Sequence, residues 1–122
     1  MLVLDNVRLQ YGRNTVVKNI SFDVREGEML CLLGPSGCGK TSTLRLVAGL
    51  QRPDAGEIRI NGKIVSSRHS IEAPHKRDIG LLFQDFALFP HLTVRENIAY
   101  GLAGLDRIEA RKRVDVLLDH VR

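Results

Sequence analysis

The chain has 122 residues, of which 43% are hydrophobic and 26% charged, and a net charge of +4 from 18 basic against 14 acidic side chains. This is about one small domain with enough apolar content for a core, which excludes a disordered chain. With 5% aromatic residues and no Trp it lacks the means for a single-strand nucleic-acid surface, no apolar run approaches the roughly 20 residues of a membrane helix, and the start Met1–Asp5 is without the basic leader of a signal peptide.

The positive charge allows an anionic partner without requiring one. Its longest basic run, Arg111-Lys112-Arg113, reads as the solvated face of a helix rather than a nucleic-acid patch. Two cysteines, Cys31 and Cys38, are too few for a disulfide framework and lack metal-ligand spacing, which fits a reducing compartment.

In chain order, residues 2–10 alternate loosely, with Leu2, Leu4, Val7 and Leu9 apolar, and predict a strand. Tyr11-Gly12-Arg13-Asn14 is a turn, and residues 15–24 a second strand region. Met29 to Leu33 is a short continuous apolar run, the mark of a strand buried on both faces, and places Cys31 in the core. A glycine cluster follows at 34–39. Residues 40–50 carry helix formers with Leu44, Leu46, Val47 and Leu50 apolar, and Pro53-Asp54-Ala55-Gly56 ends that segment. Asn61-Gly62 between apolar runs signals a tight hairpin. Residues 66–77 read as loop and Ile79 to Phe83 as another buried strand. Thr93-Val-Arg-Glu96 fits a capping box opening a helix through Tyr100, and Asp106 to Glu109 resembles a second. The helix after it sets Ala110, Val114, Leu117, Leu118 and Val121 on one face.

The glycine cluster carries the chemistry. Gly34, Pro35, Ser36, Gly37, Cys38, Gly39, Lys40 and Thr41 match G-x-x-x-x-G-K-[ST] at every specified position, between an apolar run and a helical segment. Glycines let the backbone fold round an anion, and the following helix N-terminus adds partial positive charge. Lys40 supplies a cation to the β- and γ-phosphates, the Thr41 hydroxyl can ligate Mg²⁺, and Ser42 is placed to donate to a phosphate oxygen. The competing reading is a glycine-rich turn that precedes a helix by chance. Cys38 admits two readings, a low-pKa thiol or a small residue at a variable position.

Around this loop the sequence resembles the N-terminal half of an ATP-binding cassette (ABC) transporter ATPase. The resemblance covers nearly the whole chain and is most specific over 34–42 and over the run GLLFQDFALFPHLTVREN from Gly80 to Asn97. It implies an α/β fold: a P-loop NTPase core with an antiparallel β subdomain, truncated, over 1–84, and the start of a helical subdomain over 85–122. It implies that Tyr11 stacks on adenine with Val16 flanking it. It also implies that Gln84 is the Q-loop glutamine, contacting Mg²⁺ and the attacking water. Residues 85–97 fall where the subdomain meets the membrane partner. Tyr11 as a turn aromatic covering a strand, and Gln84 as a polar strand end, are the plain alternatives. His91 reads as a surface or partner-contact residue, and His69, His75 and His120 have no supporting constellation. Asp85 and Asp119 each imitate a Mg²⁺-binding Asp after an apolar run. However, Gln84 separates Asp85 from its run, and Asp119 lies on a segment of helical period.

The implied parent is the ATPase subunit of a bacterial binding-protein-dependent importer, using ATP and Mg²⁺, peripheral on the cytoplasmic face of the inner membrane. Its implied partners are integral-membrane permease subunits, a second ATPase subunit and, indirectly, a periplasmic or surface solute-binding protein, with no nucleic acid. Residues 87–94 and 97–102 look most like the ferric-iron subgroup. The family's LSGGQ signature, Asp-Glu pair and switch histidine are not in these 122 residues. The chain thus reads as a piece that binds nucleotide without competent hydrolysis. Three other readings stand beside this one: a soluble ABC protein of DNA repair or translation, a natural short nucleotide-binding module without turnover, and a small P-loop kinase using Asp85.

Overall fold

A regular strand would turn Leu4 and Val7 to opposite faces, because side chains alternate at every residue. Leu4, Val7 and Leu9 are nonetheless all buried. The computed structural model, which describes residues 1–85 and 87–120, resolves this with a bulge. Asn6 adopts φ 47°, and the register between β1 (Leu2–Tyr11) and the antiparallel β2 (Asn14–Val24) slips between Leu4 and Val7. Asn19, at φ 49°, stands between Val17 and Ile20 and brings both to the core side of β2. Asn tolerates this left-handed backbone better than most residues. The loose alternation seen in the sequence is thus a bulged, inward-facing stripe.

β3 (Ala55–Ile60) pairs with the other edge of β1, and β4 (Lys63–Ser67) completes a four-stranded antiparallel sheet of order β2-β1-β3-β4. Asn61 and Gly62 take φ 49° and 79°, the two positive values a two-residue hairpin turn demands. Against the sheet lies α1 (Lys40–Val47), which inserts Leu46 among Leu4, Val7, Leu9, Val17, Ile58 and Val65. This helix is shorter than the expected 40–50. Gly49, at φ 80°, ends it by donating to Leu46 O at 3.1 Å, while Leu50 N donates to Arg45 O at 2.9 Å. That is a left-handed glycine stop.

The segment 66–77 is more ordered than a loop reading implies. Ser66 bridges Ile71, and Pro74–Lys76 makes one 3₁₀ turn. These bring Arg77, 2% exposed, beneath the end of α1. Its Nε donates to Glu72 O (2.8 Å), one terminal nitrogen to Leu46 O (3.2 Å) and Val47 O (2.9 Å), and the other to Val65 O (2.9 Å) and Ser66 Oγ (2.7 Å). Burial lowers the pKa of Arg77 from its ordinary value, opposed by the Glu72 carboxylate. A guanidinium nevertheless stays charged.

Two sequence expectations are corrected here. Residues 29–33 and 79–83, expected as buried strands, are in neither strand nor core. Met29 is 94% exposed and Leu33 86%. A strand buried on both faces exists by pairing with neighbours, and among the described residues no strand stands beside either run. For the same reason Cys31, expected in the core, is exposed.

The chain divides into two units, Met1–Leu81 and Leu82–Arg122. In the second, Thr93 opens α2 (Val94–Tyr100) with the expected capping box: Thr93 N donates to the Glu96 carboxylate at 2.7 Å, and Glu96 N to Thr93 Oγ1 at 3.3 Å. The Asn97 side chain braces the preceding turn, accepting from Phe89 N and donating to Phe89 O, Leu92 O and Thr93 O. α3 (Arg107–His120) follows, with Asp106 accepting from Ile108 N at 3.0 Å. Of its expected apolar face only Val114 is buried; Ala110 and Leu118 are half-buried, Leu117 is exposed, and Val121 lies outside the described residues.

Replacing Arg77 by Met removes five hydrogen bonds, to four backbone carbonyls and a hydroxyl. It should destabilise the first unit by about 3 kcal/mol or more, read as a lowered urea midpoint. The α2 cap should depend on pH. Hydrogen bonds from Thr93 N and then from its hydroxyl hold the Glu96 pKa below the usual carboxylate value. A group with a lowered folded pKa contributes fully above its unfolded pKa and loses that contribution as pH falls through the folded one. The Thr93 amide resonance should therefore shift on acidification below the ordinary Glu range, and not in Glu96→Gln.

Candidate functional site

The residues of the phosphate-loop motif form a continuous turn into α1. Gly34, Gly37 and Gly39 adopt φ 152°, 82° and 95°. Two of these glycines also have no room for a side chain. A Cβ on Gly34 would lie 2.7 Å from Cys38 Sγ, and one on Gly39 would lie 2.5 Å from Val16 O. The second contact fixes the loop against β2. Left-handed residues in such a turn let successive N–H groups converge on one point, the geometry of an anion nest.

Gly39 is the N-cap of α1 and is buried, and its carbonyl accepts both Thr43 N (2.8 Å) and Thr43 Oγ1 (2.9 Å). No acidic side chain stands in the first turn of α1. The positive end of the helix dipole is therefore left for an external anion. Lys40 folds back over the loop. Its ammonium donates to Gly34 O at 2.7 Å and Pro35 O at 2.8 Å and stands 3.5 Å from Cys38 Sγ. Three contacts match its three N–H donors, so the cation is held at the loop before any ligand arrives.

A cleft of about 360 Å³ opens between β2 and the loop, lined by Thr15, Val16, Val17, Lys18, Ile20, Gly37, Cys38 and Thr43. Val16, expected beside the nucleotide, is thereby brought to the loop. Ser36 and Thr41 are exposed, and Ser42 is half-buried. Thr41, in the first turn of α1, offers a hard hydroxyl oxygen of the kind Mg²⁺ accepts. Among the described residues no group of three His, Cys, Asp or Glu side chains could cage a metal. That donor set suits an ion carried by phosphate oxygens and completed by one or two protein oxygens.

Tyr11 stands at the end of β1, 48% exposed, with its hydroxyl hydrogen-bonded to Gln51 Nε2. Gln84 is exposed in a turn of the second unit. Asp85 lies in the same turn, and Asp119 is on α3 as its helical period required. The His91 and Phe89 rings meet in a T-shaped arrangement with centroids 6.0 Å apart. Sequence reasoning missed Thr43, Gln51, Asp54 and Arg77. An Asp just before a strand offered one signal, because its carboxylate can take a backbone N–H. Arg77, one of two arginines in the segment 66–77, offered none.

A family profile described as "ABC transporter" matches residues 17–122. Among curated proteins, the Fe(3+) ions import ATP-binding protein FbpC of Photorhabdus laumondii is 50% identical over 120 residues, covering 97% of this chain and 33% of that protein. The sulfate/thiosulfate import ATP-binding protein CysA 2 of Chromobacterium violaceum is 51% identical over 113 residues, covering 92% and 30%. Among solved structures, the dimeric post-hydrolysis state of the ATP-binding cassette MJ0796 bound to ADP and Pi superposes with a TM-score of 0.73 at 27% identity, covering 98% of this chain and 56% of that one. The chain spans about a third of the length of the curated relatives it matches.

Gly39→Ala tests the loop. It sets a Cβ against Val16 O at a left-handed φ, and the obstacle is backbone rather than a movable side chain. The expected result is a loss of about 2 kcal/mol of stability, with a broadened Lys40–Thr43 region in amide spectra.

Proposed function

We propose that this chain, which belongs to the ABC transporter family, is the nucleotide-binding end of an import ATPase. The observation that carries the proposal is the loop itself: three positive-φ glycines opening α1, with the Lys40 ammonium already poised on its carbonyls. In the whole protein Lys40 and the loop amides stabilise negative charge on the phosphoryl group as it transfers to water. Gln84 orients the attacking water. Thr41 would hold Mg²⁺ together with phosphate oxygens, and the ion would supply charge neutralisation there. Ser36, Gly37, Cys38 and Ser42 line the phosphates, and Tyr11 and Val16 hold the base. These 122 residues by themselves bind nucleotide without turning it over, because the family's Asp-Glu pair and signature are not among them.

The assembly proposed is a pair of ATPase subunits on the cytoplasmic face of the membrane. They close on ATP and reopen after hydrolysis, moving permease subunits between two states served by a solute-binding protein. The dimeric cassette structures support the pairing. For the solute we propose ferric iron, supported by the FbpC relatives and by the stretch 87–102. The CysA 2 relative, of similar identity, supports sulfate as the second reading. Uptake of each ion by cells lacking the gene separates them, and co-purification with a permease separates both from a soluble ABC protein.

Lys40→Ala in the whole protein should weaken Mg-ATP binding by about tenfold to a hundredfold while leaving the thermal midpoint of the free protein near its original value. Calorimetry on folded protein reads this. Unchanged affinity would remove the phosphate-loop assignment.

A further inference from the structure

We propose that Gln51 and Asp54 are positioning residues for the Tyr11 ring, and so govern binding of the nucleotide base without touching it. The proposal rests on the reading of Tyr11 as the base-stacking residue. It begins from a weakness in the sheet. β1 pairs with β3 only as far as Arg8 opposite Ala55, and its register with β2 slips between Leu9 and Gln10. The last two residues of β1, Gln10 and Tyr11, are therefore past the ladder on one edge and beside an irregularity on the other. Paired on one edge alone, to Thr15 and Asn14 of β2, and beside a bulge that bends the strand and adds twist, this strand end does not by itself fix the plane that a stacking ring needs.

Asp54 supplies what the backbone lacks. Its carboxylate accepts from Gln10 N at 2.7 Å, and its own N–H donates to Arg8 O at 2.9 Å. A side chain thus continues the ladder one step beyond the end of β3. The Gln10 side chain accepts from the Arg8 guanidinium at 2.9 Å and donates to Gly12 O at 2.6 Å, which fixes the turn after the ring. Gln51, 40 positions from Tyr11, then takes the phenol itself through Nε2. Its Oε1 is buried and has no hydrogen-bond partner. A phenol both donates and accepts, so either end of that amide can serve it. Tyr11 is the one hydrogen-bond partner that the described residues give the amide.

Gln51 and Asp54 both lie in the turn that leaves α1, the helix that the phosphate loop opens. The residues that brace the Tyr11 ring and the loop that holds phosphate in this way lie at the two ends of one helix.

The test is calorimetry on the whole protein with two titrants, ATP and inorganic tripolyphosphate. Gln51→Leu keeps the bulk and removes the amide; Tyr11→Phe keeps the ring and removes the hydroxyl. Each should weaken ATP about threefold to tenfold and leave tripolyphosphate unchanged, and the double variant should be no weaker than either single. Asp54→Ala should show the same selective loss, with Asp54→Asn, which retains an acceptor oxygen, recovering most of it. Losses of Gln51→Leu and Tyr11→Phe that add in full, or equal losses for both titrants, would overturn the proposal. So would an unaffected Gln51→Leu where Tyr11→Ala loses ATP affinity. If Tyr11→Ala leaves ATP affinity intact, the base-stacking reading has failed instead, and the two failures are told apart.

Discussion

A guanidinium taken out of water must give each N–H to an acceptor, and Arg77 has five N–H groups and five acceptors. Two of them, Leu46 O and Val47 O, belong to the last turn of α1, where the last carbonyls have no i+4 partner within the helix and the dipole favours a cation. The other three lie on β4 and the segment after it. The charge therefore ties the helix end to the edge of the sheet. The tie in turn dictates its surroundings: at Gly49 a Cβ would meet Arg77 Nε at 2.3 Å, so the helix can end there only on glycine. With its C-terminal end held, α1 keeps Leu46 in the core and its N-terminal loop against Val16.

A loop so fixed has a consequence for binding. The Lys40 ammonium is already satisfied by Gly34 O and Pro35 O, so an arriving phosphate exchanges hydrogen bonds rather than adding them. The gain comes from the difference between a neutral carbonyl and an anionic oxygen as acceptor, a charge–dipole contact giving way to a charge–charge one. It also comes from α1 having no carboxylate in its first turn to spend the dipole on. Because the backbone is turned in advance by its glycines, little ordering remains to oppose that gain.

What the sequence revealed follows the range of the interactions involved. The Asn61-Gly62 turn, the Thr93–Glu96 box and the phosphate-loop glycines are local: a few residues determine each, and each stands where the pattern put it. The strands at 29–33 and 79–83 were expected from apolar runs, but a strand needs a neighbour. An apolar run records only that something should cover it. The bulges at Asn6 and Asn19 hid a regular inward stripe behind an irregular spacing. Arg77 was illegible because its five partners come from three separate segments, and a buried Arg in sequence looks like any surface Arg. Asp54 was read only as part of the stop after a helix and Gln51 not at all, since nothing local shows that this stretch faces the end of β1.

These features meet on α1. It has eight residues, which at 1.5 Å per residue is a rod of about 12 Å. One end opens from the phosphate loop. The other passes through the Gly49 stop into the turn that holds Tyr11. On the proposed reading, the spacing between base and phosphate contacts is set by the length of this rod rather than by two loops that move independently. Arg77 clamps the rod close to its base-side end, so a disturbance of the clamp would be felt first at Gln51 and Tyr11. It would reach Lys40 only through the whole helix. The phosphate end has its own anchor, the close approach of Gly39 to Val16 O. Separate anchors at the two ends allow base affinity to be tuned by residues such as Gln51 and Asp54 while the phosphate geometry stays constant.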